Sequence, residues 1–111
     1  KIAYNLNILL KNDIKIYNYQ GLLTKHSINL NDEFHGAFSK YYNNGKLKEV
    51  ENYAFGEKNG ICKYYYENGQ LKSEIEYNKD ERISSKHYNQ LGKLVKSEKY
   101  FNDRQYEVIL Y

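Results

Sequence analysis

Glycine spacing constrains this chain more than any other feature. Gly21, Gly45 and Gly69 are evenly spaced, Gly36 and Gly60 repeat the same interval, and the offset from Gly21 to Gly36 recurs from Gly45 to Gly60. Two interlocked spacings mean that one supersecondary unit recurs along the chain and buries its apolar side against its own copies. A leucine stands just after each turn glycine, at Leu23, Leu47, Leu71 and Leu94. A tyrosine stands further on at a constant distance from the glycine, at Tyr53, Tyr77 and Tyr100, while Asn29 occupies that place in the first unit. Gly92 comes one position too early after Gly69 to keep the interval. The reading that fits is a connection shortened by two residues near Asp80 and Glu81 and a turn lengthened by one at Gln90 and Leu91, so that Ile61 aligns with Ile83 and Tyr66 with Tyr88.

The unit reads as a hairpin. "NNGK" and "ENGQ" contain Asn-Gly, the strongest short hairpin signal, and predict type I′ turns with positive φ at both central residues. After the second turn, Leu71, Ser73, Ile75 and Tyr77 alternate with Lys72, Glu74, Glu76 and Asn78, the period of a half-buried strand. Cys62, Tyr64 and Tyr66 form the matching row of the preceding strand, and Phe38 and Tyr42 do so one unit earlier. The expected fold is all-β, an antiparallel meander of successive repeat hairpins in one domain. Its units span approximately 12–35 (degenerate), 36–59, 60–81 and 82–105 (degenerate), with 106–111 starting a further strand.

Composition narrows the function classes. The net charge of +3 comes from 17 basic and 14 acidic side chains with no run of like charge, so a nucleic-acid partner is not indicated. Neither a basic cluster nor an amphipathic helix is present, so membrane association is not expected. The lone Cys62 can close no intramolecular disulfide and has no C-x-x-C neighbour for zinc. Near the start the longest apolar run, Ile8 to Leu10, is too short for a membrane span or a signal core. The chain opens at Lys1, which leaves room for an export signal upstream, and the compartment stays open between cytoplasmic and exported.

In "HGAFSKYYNNGKLKEVENYAFGEKNG" and "NGICKYYYENGQLKSEIEYNKDER" the chain resembles the MORN-repeat variant family, whose unit reads approximately G-x-W-x-x-Y-Y-x-N-G-x-L-x-x-x-x-x-Y-x-x-G. The resemblance is close over residues 34 to 100 and weak over 12 to 33 and 101 to 111. Phe38 and Cys62 stand at the family's tryptophan position, and the third unit lacks both the strand-entry glycine and Asn-Gly. The resemblance implies a sheet of hairpins and, as one function, an antitoxin-like or immunity-like bacterial protein. The alternative it allows is a surface-exposed or secreted protein touching host or envelope components. Lipid-headgroup scaffolding, as in some standard MORN proteins, is disfavoured by the missing basic cluster.

Catalytic and metal readings are weak. His26, His35 and His87 share no ligand spacing and read as solvated turn or strand residues. Cys62 falls on a packing position and reads as a buried, inert thiol. Glu74 with Glu76, and Glu49 with Glu51, read as a solvated polar face, and no acid and base stand out as having diverging environments. No enzyme activity, cofactor or metal is expected. The stronger signal is tyrosine, 14 in all, because rigid rings on a sheet face give contact area at low entropic cost. Alternation places Tyr65 with Lys63 and opposite Tyr64 and Tyr66, and Tyr41 opposite Phe38 and Tyr42. Tyr41, Tyr65 and Lys63 are therefore the candidate binding residues for a protein partner such as a toxin. A basic nuclease would call for an acidic inhibitor, so an acidic or non-nuclease partner is expected. "YEVILY" is β-prone and nearly uncharged, so its strand should expose a pairing edge open to self-association. Val108 and Leu110 should separate from Glu107 and Ile109 into a buried and an exposed set.

Overall fold

Alternating side chains and closely spaced turns leave the chain one economical solution, hairpin after hairpin paired in sequence order. The computed structural model describes residues 10–102 and 104–111. The strands are β1 (Lys11–Tyr17), β2 (Leu23–Leu30), β3 (Glu33–Tyr41), β4 (Leu47–Ala54), β5 (Glu57–Lys58), β6 (Gly60–Tyr65), β7 (Leu71–Asn78), β8 (Glu81–Tyr88), β9 (Leu94–Asn102) and β10 (Gln105–Leu110). They form one antiparallel sheet in the order β1-β2-β3-β4-β6-β7-β8-β9-β10, with short β5 also pairing β4. The all-β meander expected from the sequence is what the chain adopts.

The sheet has a single layer. Its extents are 62 × 41 × 16 Å and its radius of gyration is 17.3 Å, against roughly 13 Å for a compact chain of this length. Nothing among the described residues covers either face, and Cys62 is the one fully buried hydrophobic side chain. Two cross-strand rows define the faces. One runs Cys62, Ile75, Ser85, Glu98, Val108, and on the same side Glu49, Tyr64, Ser73, His87, Lys96, Leu110. The opposite face carries His26, Ser39, Val50, Lys63, Glu74, Lys86, Ser97 and Ile109 in one unbroken line.

The turns depart from expectation in an orderly way. Asn44 and Asn68 are not at positive φ, and only the glycines after them are, Gly45 at 85° and Gly69 at 93°. Gly45 N–H bonds to Tyr42 C=O and Tyr42 N–H to Lys46 C=O, with the same pattern at 66–70. This is a type I turn closed by a left-handed glycine bulge, not type I′. The Asn44 and Asn68 side chains instead accept the N–H of Lys46 and Gln70. Turns 18–22 and 89–93 keep the same backbone bonds without Asn-Gly, because the Asn18 and Asn89 side chains each accept two backbone N–H groups. Two-residue connections with positive φ at both centres do occur, at the other end of the sheet: Asn31-Asp32, Phe55-Gly56 and Lys79-Asp80.

The shortened interval before Gly92 also has a simpler origin than two compensating changes. Around Gly36 and Gly60 the register slips by two residues, whereas in β8, which has no glycine, it slips by one. One residue is missing from that bulge, and turn 89–93 is no longer than turn 66–70. Tyr88 is therefore the counterpart of Tyr65, not of Tyr66. The hydroxyls agree: Tyr42 donates to the carbonyl of Tyr65 at 2.6 Å and Tyr66 to that of Tyr88 at 2.8 Å. Tyr17, Tyr41, Tyr65 and Tyr88 each close a strand opposite Leu23, Leu47, Leu71 and Leu94.

At the C-terminal edge the expectation fails in one respect. β10 forms, but all its residues are exposed, with Val108 at 44% and Ile109 at 46%. The two sets do not separate because an edge strand of a one-layer sheet has solvent on both faces.

Candidate functional site

Glu51 lies on the face of Phe38 and Tyr64, not on a solvated polar face. Phe38 is its cross-strand neighbour. The carboxylate is buried, accepts hydrogen bonds from the hydroxyls of Tyr53 at 3.0 Å and Tyr64 at 3.1 Å, and pairs with Lys58 Nζ at 3.0 Å. Burial alone would raise its pKa. The hydrogen bond and charge of Lys58, joined by the two hydroxyls, outweigh burial and hold the carboxyl below its ordinary value. Burial first, and then the Glu51 charge, push the Tyr53 phenol up to about 12 and the Tyr64 phenol higher still. Burial opposes the Lys58 charge, but Glu51 wins and keeps the ammonium firmly protonated. At neutral pH the cluster is a satisfied anion-cation pair with protonated phenols, which leaves no group poised to exchange a proton. The repeat carried the signal for it: Glu51 lies one full repeat before Ile75, an inward position, so an acid there had to be buried and paired.

Cys62 is fully buried, and its Sγ accepts the backbone N–H of Asn52 at 3.4 Å. Burial raises its pKa. The charges acting on it are those of Glu51, Lys58 and Glu49, and no histidine is among them. It is the packed thiol its repeat position implied.

All three histidines lie in strands, and they are half-buried rather than solvated. His35 Nδ1 accepts the N–H of Phe55 at 3.1 Å and ties down a two-residue turn. On β2, His26 faces Asp13 at 3.4 Å. Ser85, His87 and Glu98 come together across β8 and β9: Ser85 Oγ donates to Glu98 Oε1 at 2.9 Å and lies 3.1 Å from His87 Nε2, itself 3.0 Å from the same carboxylate oxygen. A nucleophile relay needs the hydroxyl on one imidazole nitrogen and the acid on the other. Here one nitrogen faces both, and the hydroxyl proton is committed to the carboxylate. Burial would raise the Glu98 carboxyl, but the bonds from Ser85 and His87 and the charge of Lys96 hold it below its ordinary value. Beside this cluster runs an open groove of about 980 Å³, with Arg82, His87, Lys96, Tyr100 and Tyr106 among its walls.

Rings on both sides of the sheet are roofed by the chain's own cations. Lys58 sits over Tyr77 at 5.0 Å and, one unit on, Arg82 over Tyr100 at 4.6 Å. Near the turns, Lys48 covers Tyr42 and Lys72 covers Tyr66, from strand positions that alternation puts with Val50 and Glu74. These contacts repeat with the sequence and shield aromatic surface without a second layer.

The sequence-derived candidates lie on the other face. Lys63 is exposed in the middle of the Val50-Lys63-Glu74 line and approaches Glu74 at 3.9 Å. Alternation along β6 puts half-buried Tyr65 on that side, and its counterpart Tyr88 agrees with that direction by donating to Glu74 at 3.2 Å. Tyr41 ends β3, with β4 between it and β6. The rings thus recur on every second strand, about 10 Å apart. Tyr88 joins the set; the one-residue bulge difference concealed it in the sequence.

A family model described as the MORN repeat variant matches residues 34–54 and 58–79, the two hairpin units that contain Asn-Gly. No curated protein matches the chain. Among solved structures, the chain is similar to one from the crystal structure of accessory secretory protein 1, 2 and 3 in Streptococcus pneumoniae. The TM-score is 0.54 at 13% identity, over 89% of this chain and 19% of that one. The likeness is one of fold, and this chain spans about a fifth of that chain's length.

Proposed function

We propose that the chain is a non-catalytic protein-interaction module that binds its partner across the face carrying Tyr41, Tyr65 and Lys63, and that this partner is a toxin held inactive by direct association. The observation behind this reading is the recurrence of half-buried tyrosines opposite leucines at one end of successive hairpins, on the face of the exposed Lys63. Such rings offer rigid area at little entropic cost. Stoichiometric blocking needs no nucleophile or metal, and the +3 charge favours an acidic partner. Immobilised protein should retain a specific partner from lysate of the source organism, and the Tyr41→Ala, Tyr65→Ala double variant should lose it with an unchanged circular dichroism spectrum. Coexpression should then relieve the growth arrest caused by that partner. Equal capture by both forms would refute the assigned face, and a partner with no toxicity would refute the toxin reading.

A second reading, a surface-exposed or secreted protein contacting host or envelope components, draws on the likeness to an accessory secretory protein chain. Tyrosine-dependent binding to intact cells or envelope fractions would select it.

A further inference from the structure

The two edges of the sheet differ. β1 reads KNDIKIY, with three charges spread along it, the usual protection of an open edge. β10 reads QYEVIL, with Glu107 its one charge. Among the described residues nothing pairs with its outer side. The direction of its backbone groups follows from the inner side: Tyr111 N–H bonds to Val95 C=O at 3.0 Å, and the register pairs Ile109 with Ser97 and Glu107 with Lys99. In an antiparallel ladder alternate residues direct both polar groups to the same neighbour. Residues 107, 109 and 111 therefore spend theirs on β9, while Tyr106, Val108 and Leu110 present N–H and C=O outward.

We infer that β10 pairs with β10 of a second copy of this chain, antiparallel and centred on Val108. In this register Tyr106 faces Leu110 of the copy, Val108 faces Val108, and Leu110 faces Tyr106, and each pair exchanges two backbone hydrogen bonds. All the outward groups of the strand are satisfied at once. On the same face Tyr106 packs on Leu110 and Val108 on its twin. On the other face Glu107 meets Ile109, so the two acids do not oppose each other. Centring on Glu107 would set the two carboxylates directly opposite, which is unfavourable. Centring on Ile109 leaves the outward groups of Tyr106 without a partner inside the strand. Residues opposite each other in such a ladder share a face, so the two sheets join with their grooves on one side. Tyr106, a wall of the groove and stacked on Tyr100 at 5.6 Å, then lies next to the junction.

This inference stands apart from the partner-binding face, and its test does not involve that partner. Sedimentation equilibrium of the full chain, over a concentration series reaching the high micromolar range, should show a monomer-dimer equilibrium ending at twice 13.3 kDa. Val108→Pro removes an N–H that β9 does not use and should abolish the dimer. Val108→Lys places two ammonium groups on the dyad and should weaken it by about tenfold or more. Ile109→Lys, by contrast, brings a cation opposite Glu107 of the copy and should leave the dimer intact or tighter. Circular dichroism checks that each variant keeps the sheet. A wild-type chain that stays monomeric throughout, a Val108→Lys variant that dimerises like wild type, or equal loss in the two lysine variants would overturn the assignment.

Discussion

Replacing Glu51 with glutamine keeps the shape of the side chain and removes its charge, so it measures what the buried carboxylate does for the sheet. In the native cluster the carboxylate receives two phenol hydrogen bonds and the Lys58 ammonium. A hydrogen bond to a charged acceptor is stronger than a neutral one by about 1 kcal/mol, so the two phenols together lose roughly 2 kcal/mol. Lys58 is 29% exposed, so solvent screens the ion pair and its loss adds at most about 1 kcal/mol. The expected destabilisation at pH 7 is roughly 2–3 kcal/mol, equivalent to a fall in melting temperature on the order of 10 °C for a domain of this size. Urea unfolding followed by circular dichroism measures it. The carboxyl is held below 4.5 in the folded chain. Its contribution is therefore complete above that value and is lost as the pH falls through the folded pKa. The gap between wild type and Glu51→Gln should be full at pH 7 and should close toward pH 3. A variant within about 0.5 kcal/mol of wild type at pH 7, or a gap that does not change with acid, would refute the account of the cluster.

Two further outcomes follow from the same surroundings. The Tyr53 phenol, raised from 10.0 to about 12, contributes stability below pH 10 that is lost as the pH climbs toward 12. The phenolate absorbance of the 14 tyrosines should therefore stay short of full amplitude until the sheet unfolds, and full amplitude in a folded chain would contradict the burial of Tyr53 and Tyr64. Cys62, fully buried with its pKa raised, should react with an aromatic disulfide reagent only at the rate of opening, and a fast stoichiometric reaction in native buffer would show that its cover is missing.

The hairpin meander is legible in the sequence because its evidence is local: the period of two after each turn, the leucine just beyond it and the glycine that ends the turn lie within one unit. The turn type is not. Asn-Gly permits positive φ at both centres, but the chain uses the pair in a type I turn whose glycine forms the bulge, and the deciding bonds link Tyr42 to Gly45 and Lys46, and Tyr66 to Gly69 and Gln70. Glu51 looks like a surface residue only while its charge outweighs its repeat position; the alignment with Ile75 already places it inward. Ser85, His87 and Glu98 meet only across paired strands, at a separation set by register, and no sequence motif spaces them. Tyr88 is shifted out of its row by one residue of a bulge, which the sequence alone does not assign to strand or turn.

The choice of face for a partner rests on what occupies the strand centres. On the side of Cys62, the most buried positions are small or polar: Ser27, Ser73, Ser85, Glu51 and the cysteine itself. They are covered by long neighbours in the same sheet, among them Tyr53, Tyr64 and Lys58, and not by a second layer. A face meant to receive an apolar partner would place large apolar groups at its centre and leave them open. This face instead roofs Tyr77 and Tyr100 with Lys58 and Arg82, and displacing that roof would forfeit cation-ring contacts already made. On the opposite face Lys48 and Lys72 are spent on Tyr42 and Tyr66 near the turns, while Tyr41, Tyr65 and Tyr88, which border the Val50-Lys63-Glu74 line, carry no such contact among the described residues. A partner docking there would cover tyrosine and valine without first breaking a cation-ring contact. The same reasoning leaves the groove face free to run on through the Val108 junction, so the proposed dimer and the proposed partner would use different surfaces and neither would exclude the other.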